Sequence, residues 1–184
     1  MNQPPKSFIS FPGKTHLIRT DDELVSVDFG AVKEMGFETE TRPSFRKDEV
    51  YRVALLQLAT DTDAYLVRLQ HVTQYHVIKN IFENREVLKV GVSISHDLKQ
   101  LQKMFKFEPQ GFVELQNFAK AKGVQNMGLK GMTEEVLQAA LTKGPKLTNW
   151  EASVLTPQQL MYAATDAWIG LTLYRALAQV PQKV

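Results

Sequence analysis

The sequence predicts a three-layer α/β domain with a central mixed sheet of about five strands flanked by helices. Three observations carry this. The run from Tyr51 to Ala59 is mostly apolar and β-branched, the composition of a central strand buried on both faces. A meander of three strands precedes an alternation of strands and helices. A long closing helix, at about 157 to 179, opens on Thr156-Pro157, a cap followed by proline at the first helical position.

The elements follow in order. The first dozen residues carry three prolines and predict an extended arm over 1–14, with a single domain over 15–180. Thr15 to Ile18 reads as a short strand. Thr20 and Glu23 have the spacing of a capping box, with Leu24, Val27 and Val32 following in a short helix. Met35 to Glu40 is a strand ended by Arg42-Pro43, and Ala64 to Val67 a strand after the turn signal Asp61-Thr62-Asp63. Val72, Tyr75, Ile78 and Phe82 make one helical face, and Leu98, Leu101, Met104 and Phe105 another. Strands are expected at Leu88–Val92 and Phe112–Leu115, with further helices at about 115–122 and 133–142.

Composition narrows the chemistry. A chain of 184 residues suits one domain, and without cysteine it has no disulfides, thiolate metal sites or cysteine nucleophiles. No apolar run approaches the roughly 18 residues needed to cross a bilayer, so a soluble intracellular protein with no membrane partner is the expectation. Net charge is +2, but between Lys99 and Lys146 eight lysines stand against four glutamates. That excess fits either solvated helix faces or a basic rim along a phosphate backbone.

Two acidic pairs carry the functional signal. Glu38 and Glu40 lie two apart on a strand, so they share a face; Tyr162 and Asp166 lie four apart on a helix, so they do too. Asp97 lies just past a strand end, at a helix start, where ligand sites form in α/β sheets. Alone, each has a plainer account: a solvated strand edge, an N-cap, a core tyrosine. Jointly, four carboxylates and a phenol from three segments suit two divalent ions and a phosphate ester. In such a site the ions lie about 3.5–4 Å apart, one generating the nucleophile and the other stabilising the leaving oxygen.

Three motifs resemble those of the DEDD superfamily of 3′-5′ exonucleases, in its tyrosine-bearing branch, as in the exonuclease domains of ribonuclease D and the Werner syndrome helicase. They are Gly36 to Pro43, Lys89 to Leu98, and Asn149-Trp150 with Leu155 to Gln159 and Tyr162 to Ala167. The likeness covers about residues 15 to 178. It implies a ribonuclease H-like fold and hydrolysis of phosphodiester bonds from the 3′ end of nucleic acid, releasing nucleoside 5′-monophosphates. It implies two divalent ions, Mg2+ or Mn2+. Glu38 would bridge them, Glu40 and Asp166 would bind the nucleophile-side ion, Asp97 would serve the second partly through water, and Tyr162 would orient the attacking water. The implied partner is nucleic acid with a single-stranded 3′ end.

The sequence departs from the family in one ligand. The family has Asp where this chain has Glu38, and the extra methylene moves the carboxylate by roughly 1.5 Å. Active-site geometry tolerates about 1 Å before rates fall on the order of a hundredfold. The alternative to an enzyme is therefore a catalytically weak or inactive nucleic-acid-binding module. Thr39, Phe45, Lys146 and Trp150 are candidate substrate contacts. Phe45 either stacks on a terminal base or fills a crevice, and Trp150 either packs beneath the site or offers a base platform. Gly128-Leu129-Lys130-Gly131 is too loose for a phosphate loop.

Overall fold

The structure, a computed structural model, describes residues 7–142, 144 and 148–181. Its strands are β1 (Ser7–Ile9), β2 (Lys14–Ile18), β3 (Glu34–Thr41), β4 (Val53–Ala59), β5 (Asp63–Arg68), β6 (Leu88–Gly91), β7 (Phe112–Glu114) and β8 (Ala139–Leu141). Its helices are α1 (Asp21–Val25), α2 (His76–Phe82), α3 (Ile94–Gln102), α4 (Leu115–Ala121), α5 (Leu129–Leu137) and α6 (Pro157–Ala178). Among the described residues no helix is long and apolar enough to cross a membrane.

The fold is the expected α/β arrangement, with a mixed sheet between helices. The sheet has six strands in the order β2-β5-β4-β3-β6-β7. β4 is antiparallel to both β3 and β5, whereas β2 joins β5, β6 joins β3, and β7 joins β6 in parallel. The sixth strand is β2, the short strand read at Thr15–Ile18. β4 lies inside the sheet, and all its residues are buried, as its unbroken apolar run requires.

Side chains alternate across β3, and this divides the core. Phe37 meets Phe82 and Phe112 edge-on at ring separations of 5.8 and 5.3 Å, in the cluster beneath α1, α2 and α3. On the opposite face α6 crosses the sheet so closely that a Cβ at Gly36 would lie 1.7 Å from the Ala167 carbonyl oxygen. Ala163, Ala164, Ala167 and Gly170 give α6 the low, small-residue surface this approach needs. Thr156 and Gln159 form its capping box, as the Thr-Pro opening predicts.

Several elements depart from the sequence reading. The first helix ends at Val25, short of Val27 and Val32, and α2 starts at His76, past Val72 and Tyr75, although all four side chains still pack against the core. The helix expected over 133–142 starts earlier and stops at Leu137, because Gln138 is left-handed with φ of 53°. Ala139–Leu141 then pairs in parallel with Ser7–Ile9 as a separate two-stranded sheet. Part of the expected arm is therefore a strand. Further along, the Phe11 N–H donates to the buried Thr165 hydroxyl of α6 at 3.0 Å.

Lys89 shows how a charge can be held in such a core. Its side chain is fully buried, and its Nζ donates to the Asn84 and Val87 carbonyls at 2.8 and 2.6 Å above the Phe112 ring. Burial lowers its pKa from 10.5 to about 8. Below pH 8 both folded and unfolded chains hold the proton, and the desolvation cost is fully present. Between about 8 and 10.5 the folded chain releases the proton first, so this residue's contribution to stability rises with pH. The stability gap between wild type and Lys89→Met, from urea melts at pH 7.5 and 9.5, should therefore shift toward wild type at the higher pH. A gap independent of pH would contradict this account.

Candidate active site

The two acidic pairs come together where α6 crosses β3. Glu38, Glu40, Tyr162 and Asp166 all line one open cleft of about 720 Å³. Glu38 and Glu40 point to the α6 side of the sheet because they keep the parity of Gly36. Tyr162 and Asp166 are stacked one helical turn apart, which sets the phenol beside the Asp166 carboxylate. The opposite wall carries Leu129 and Lys130 at the start of α5, with Leu141 and Thr142 around the end of β8. A second lobe of about 400 Å³, reaching Gln158 and Met161, shares Thr142, Gly144, Tyr162 and Asp166 with the first.

Asp97 stands at the margin, not in the wall. β3 and β6 are paired only as far as Gly36 and Val90, and beyond that point α3 begins. Asp97 lies in the first turn of α3 and not at its cap, with the Thr39 hydroxyl near enough to favour its charged form. Its charge still reaches Glu38. The start of α3 is held by Glu114, whose two carboxylate oxygens accept from the Ser93 and Ile94 N–H groups, each at 2.9 Å.

The electrostatics follow from this crowding. Glu38 is enclosed by protein on most sides and touches solvent through the cleft. Burial, then the charges of Asp97, Asp166 and Glu40, push its carboxyl well above the usual carboxylate range. Burial also raises Asp97, against the pull of the Thr39 hydroxyl. Burial, and then Asp166 and Glu40, push the Tyr162 phenol far up, so at neutral pH it stays protonated and serves as a hydroxyl, not as a base.

The donor set is all hard oxygen, which matches Mg2+ or Mn2+ and no soft metal. Among the described residues no three His, Cys, Asp or Glu side chains are grouped tightly enough to hold a single ion. The chemistry of the donors fits divalent ions.

The other sequence candidates divide. Thr39 borders the cleft, with its hydroxyl near Asp97. Phe45 is 82% exposed, just past the end of β3, and fills no crevice. Of the two readings of Trp150, packing beneath the site is the one the structure supports: it is 1% exposed and lies 6.1 Å from the Tyr162 ring, so it supports the phenol and offers no face to a base. Lys146 lies outside the described residues. Lys130 belongs to the lysine-rich stretch that the sequence leaves as either solvated helix faces or a basic rim, and the structure places it on the cleft wall. Its local motif carries no phosphate-loop signal, and its place depends on α5 folding against α6.

Residues 17–181 match the domain family described as 3′-5′ exonuclease. The chain belongs to that family. Among relatives of this exonuclease domain, the mouse bifunctional 3′-5′ exonuclease/ATP-dependent helicase WRN is 30% identical over 185 residues, which is 94% of this chain and 13% of that protein. A 3′-5′ exonuclease of Arabidopsis thaliana is 31% identical over 163 residues, 85% of this chain and 57% of that protein. The chain thus spans only part of the length of either. Among solved structures, Escherichia coli RNase D superposes with a TM-score of 0.80 at 27% identity, over 90% of this chain and 44% of that one.

Proposed function

We propose that this exonuclease-family domain hydrolyses phosphodiester bonds from the 3′ end of nucleic acid with the help of two divalent ions, Mg2+ or Mn2+. The observation that supports this best is the single cleft shared by Glu38, Glu40, Tyr162 and Asp166, with Asp97 within electrostatic reach. Glu38, Glu40 and Asp166 would hold the ions, with Asp97 assisting from the margin. Bound there, the ions would supply positive charge to polarise phosphate oxygens and acidify water.

The residues of the chain supply the rest. The Tyr162 hydroxyl, kept protonated by burial and by the neighbouring Asp166 and Glu40 charges, orients the attacking water. Water attacks the phosphorus of the last phosphodiester. The bond to the 3′ oxygen of the preceding nucleotide breaks, and the terminal nucleotide leaves as a 5′-monophosphate. Lys130 offers a positive charge to a backbone phosphate from the opposite wall. Nucleic acid as the substrate is also supported by E. coli RNase D, which is described as an exoribonuclease involved in structured RNA processing.

The test is product analysis. Wild-type protein incubated with a 5′-labelled single strand, in DNA and RNA versions, should give a ladder shortened one nucleotide at a time, with nucleoside 5′-monophosphates in solution. Internal fragments would assign a different reaction.

Glu38 supports a second reading, a domain of this fold that holds nucleic acid and cuts it slowly or not at all. The longer side chain sits among three other carboxylates and is pushed well up by burial and by their charge. Glu38→Asp separates the two. If the longer ligand strains a working site, the shorter one should speed single-turnover cleavage, most clearly with Mg2+, which demands near-ideal octahedral geometry. Activity that appears only in Glu38→Asp would establish the non-cutting reading for the wild type. Slower cleavage by Glu38→Asp would mean that the surroundings have adapted to the longer side chain.

A further inference from the structure

β4 has one polar side chain among seven residues, Gln57, and it is fully buried. In a central strand covered on both faces, an apolar residue would serve packing better. Gln57 is the cross-strand partner of Glu38 in the β3–β4 ladder, so the two side chains project side by side toward α6. Its Nε2 donates to the Ala163 carbonyl at 3.1 Å. Ala163 follows Tyr162 directly and precedes Asp166 by less than a turn. The other end of the amide, Oε1, is buried without a hydrogen-bond partner among the described residues. A buried acceptor left unpaired weakens the fold.

We propose that Gln57 is a positioning residue whose amide ties the Glu38 level of the sheet to α6 and so sets the spacing between Glu38 and the Tyr162–Asp166 pair. The inference rests on the cleft being the phosphodiester-cleaving site. The backbone contact at Gly36 fixes how closely α6 approaches β3, but it lies two residues along the strand. The Gln57–Ala163 hydrogen bond fixes the same helix at the level of the carboxylates themselves. Removing the amide takes away this tether together with the unpaired acceptor, so stability and function should move in opposite directions.

The test uses Gln57→Leu and Gln57→Met, with Met as the more adaptable filler. Each variant is compared with wild type in thermal melting, in Mn2+ titration by calorimetry, and in single-turnover cleavage of a labelled strand. Melting at or above the wild-type temperature is expected, with Mn2+ affinity and cleavage rate each down about tenfold. The affinity for the strand should stay within about twofold, since Gln57 touches no solvent. Lower melting temperature with unchanged Mn2+ affinity and rate would make Gln57 an ordinary packing residue and overturn the proposal. Failure of both variants to fold, or no change in any readout, would overturn it too. A wild type that binds Mn2+ but cleaves nothing would remove the proposed function and leave the inference to be decided by the Mn2+ titration alone. A wild type that neither binds nor cleaves would overturn both.

Discussion

Asp166→Asn should lower divalent-ion-dependent cleavage by more than about a hundredfold and leave the melting temperature nearly unchanged. Changing a group that only orients a metal ligand costs about 10- to 100-fold. Asp166 is proposed as a ligand itself, so its loss should cost more. The substitution keeps the shape and removes one negative charge from a crowded site, where Asp166 is the second largest electrostatic load on Glu38 after Asp97. Stability is therefore not expected to suffer. Tyr162→Phe should cost less, on the order of tenfold to a hundredfold, because the ligands remain and only water orientation is lost. Equal losses from the two variants, in single-turnover assays on the same labelled strand, would contradict this division of roles.

Gly36→Ala should be the most damaging small substitution in the sheet. The added Cβ would sit 1.7 Å from the Ala167 carbonyl oxygen and 2.6 Å from its carbon, both backbone atoms of a 22-residue helix. No side-chain rotation relieves such a contact, so α6 must shift or bend. The cost should reach about 3 kcal/mol, the upper end for overpacking. For a domain of this size that lowers the melting temperature by roughly 6–12 °C. Cleavage should fall as well, because the shift moves Tyr162 and Asp166 away from Glu38. An unchanged melting temperature would show that α6 does not press on β3 as described. Gly91 is held by a similar constraint, with a Cβ only 2.6 Å from the Phe37 carbonyl oxygen.

What could be read in advance was whatever local pattern decides. The β4 run, the capping box at Thr156 and the i, i+2 and i, i+4 acidic pairs are all set by neighbours in sequence, and they placed four of the five proposed catalytic residues in one cleft. What escaped depends on distant partners. β8 is a three-residue strand that exists because Ser7–Ile9 lies beside it, and a run of Ala-Ala-Leu after a helix reads as more helix. The place of Asp97 depends on how far β3 and β6 stay paired and on Glu114, which holds the start of α3. Trp150 is hidden beneath Tyr162 because the segment before α6 is tied down by buried Arg68, which donates to the Ala152 and Ser153 carbonyls. No local pattern around Trp150 carries that information. Gln57 interrupts the apolar β4 run, and only the strand register, which pairs it with Glu38, gives that interruption a meaning.

The central claim is that the carboxylate cleft cuts nucleic acid from its 3′ end when divalent ions are present. The most direct measurement is the time course of a 5′-labelled single strand with wild type and Asp166→Asn, each in Mg2+, in Mn2+ and with a chelator in excess. The account predicts stepwise 3′ shortening by wild type in at least one of the two ions. It predicts loss of that shortening with the chelator and near-complete loss in Asp166→Asn. Cleavage that survives the chelator, or that Asp166→Asn performs at the wild-type rate, would contradict it. So would an intact strand in both ions with folded, ion-bound wild-type protein.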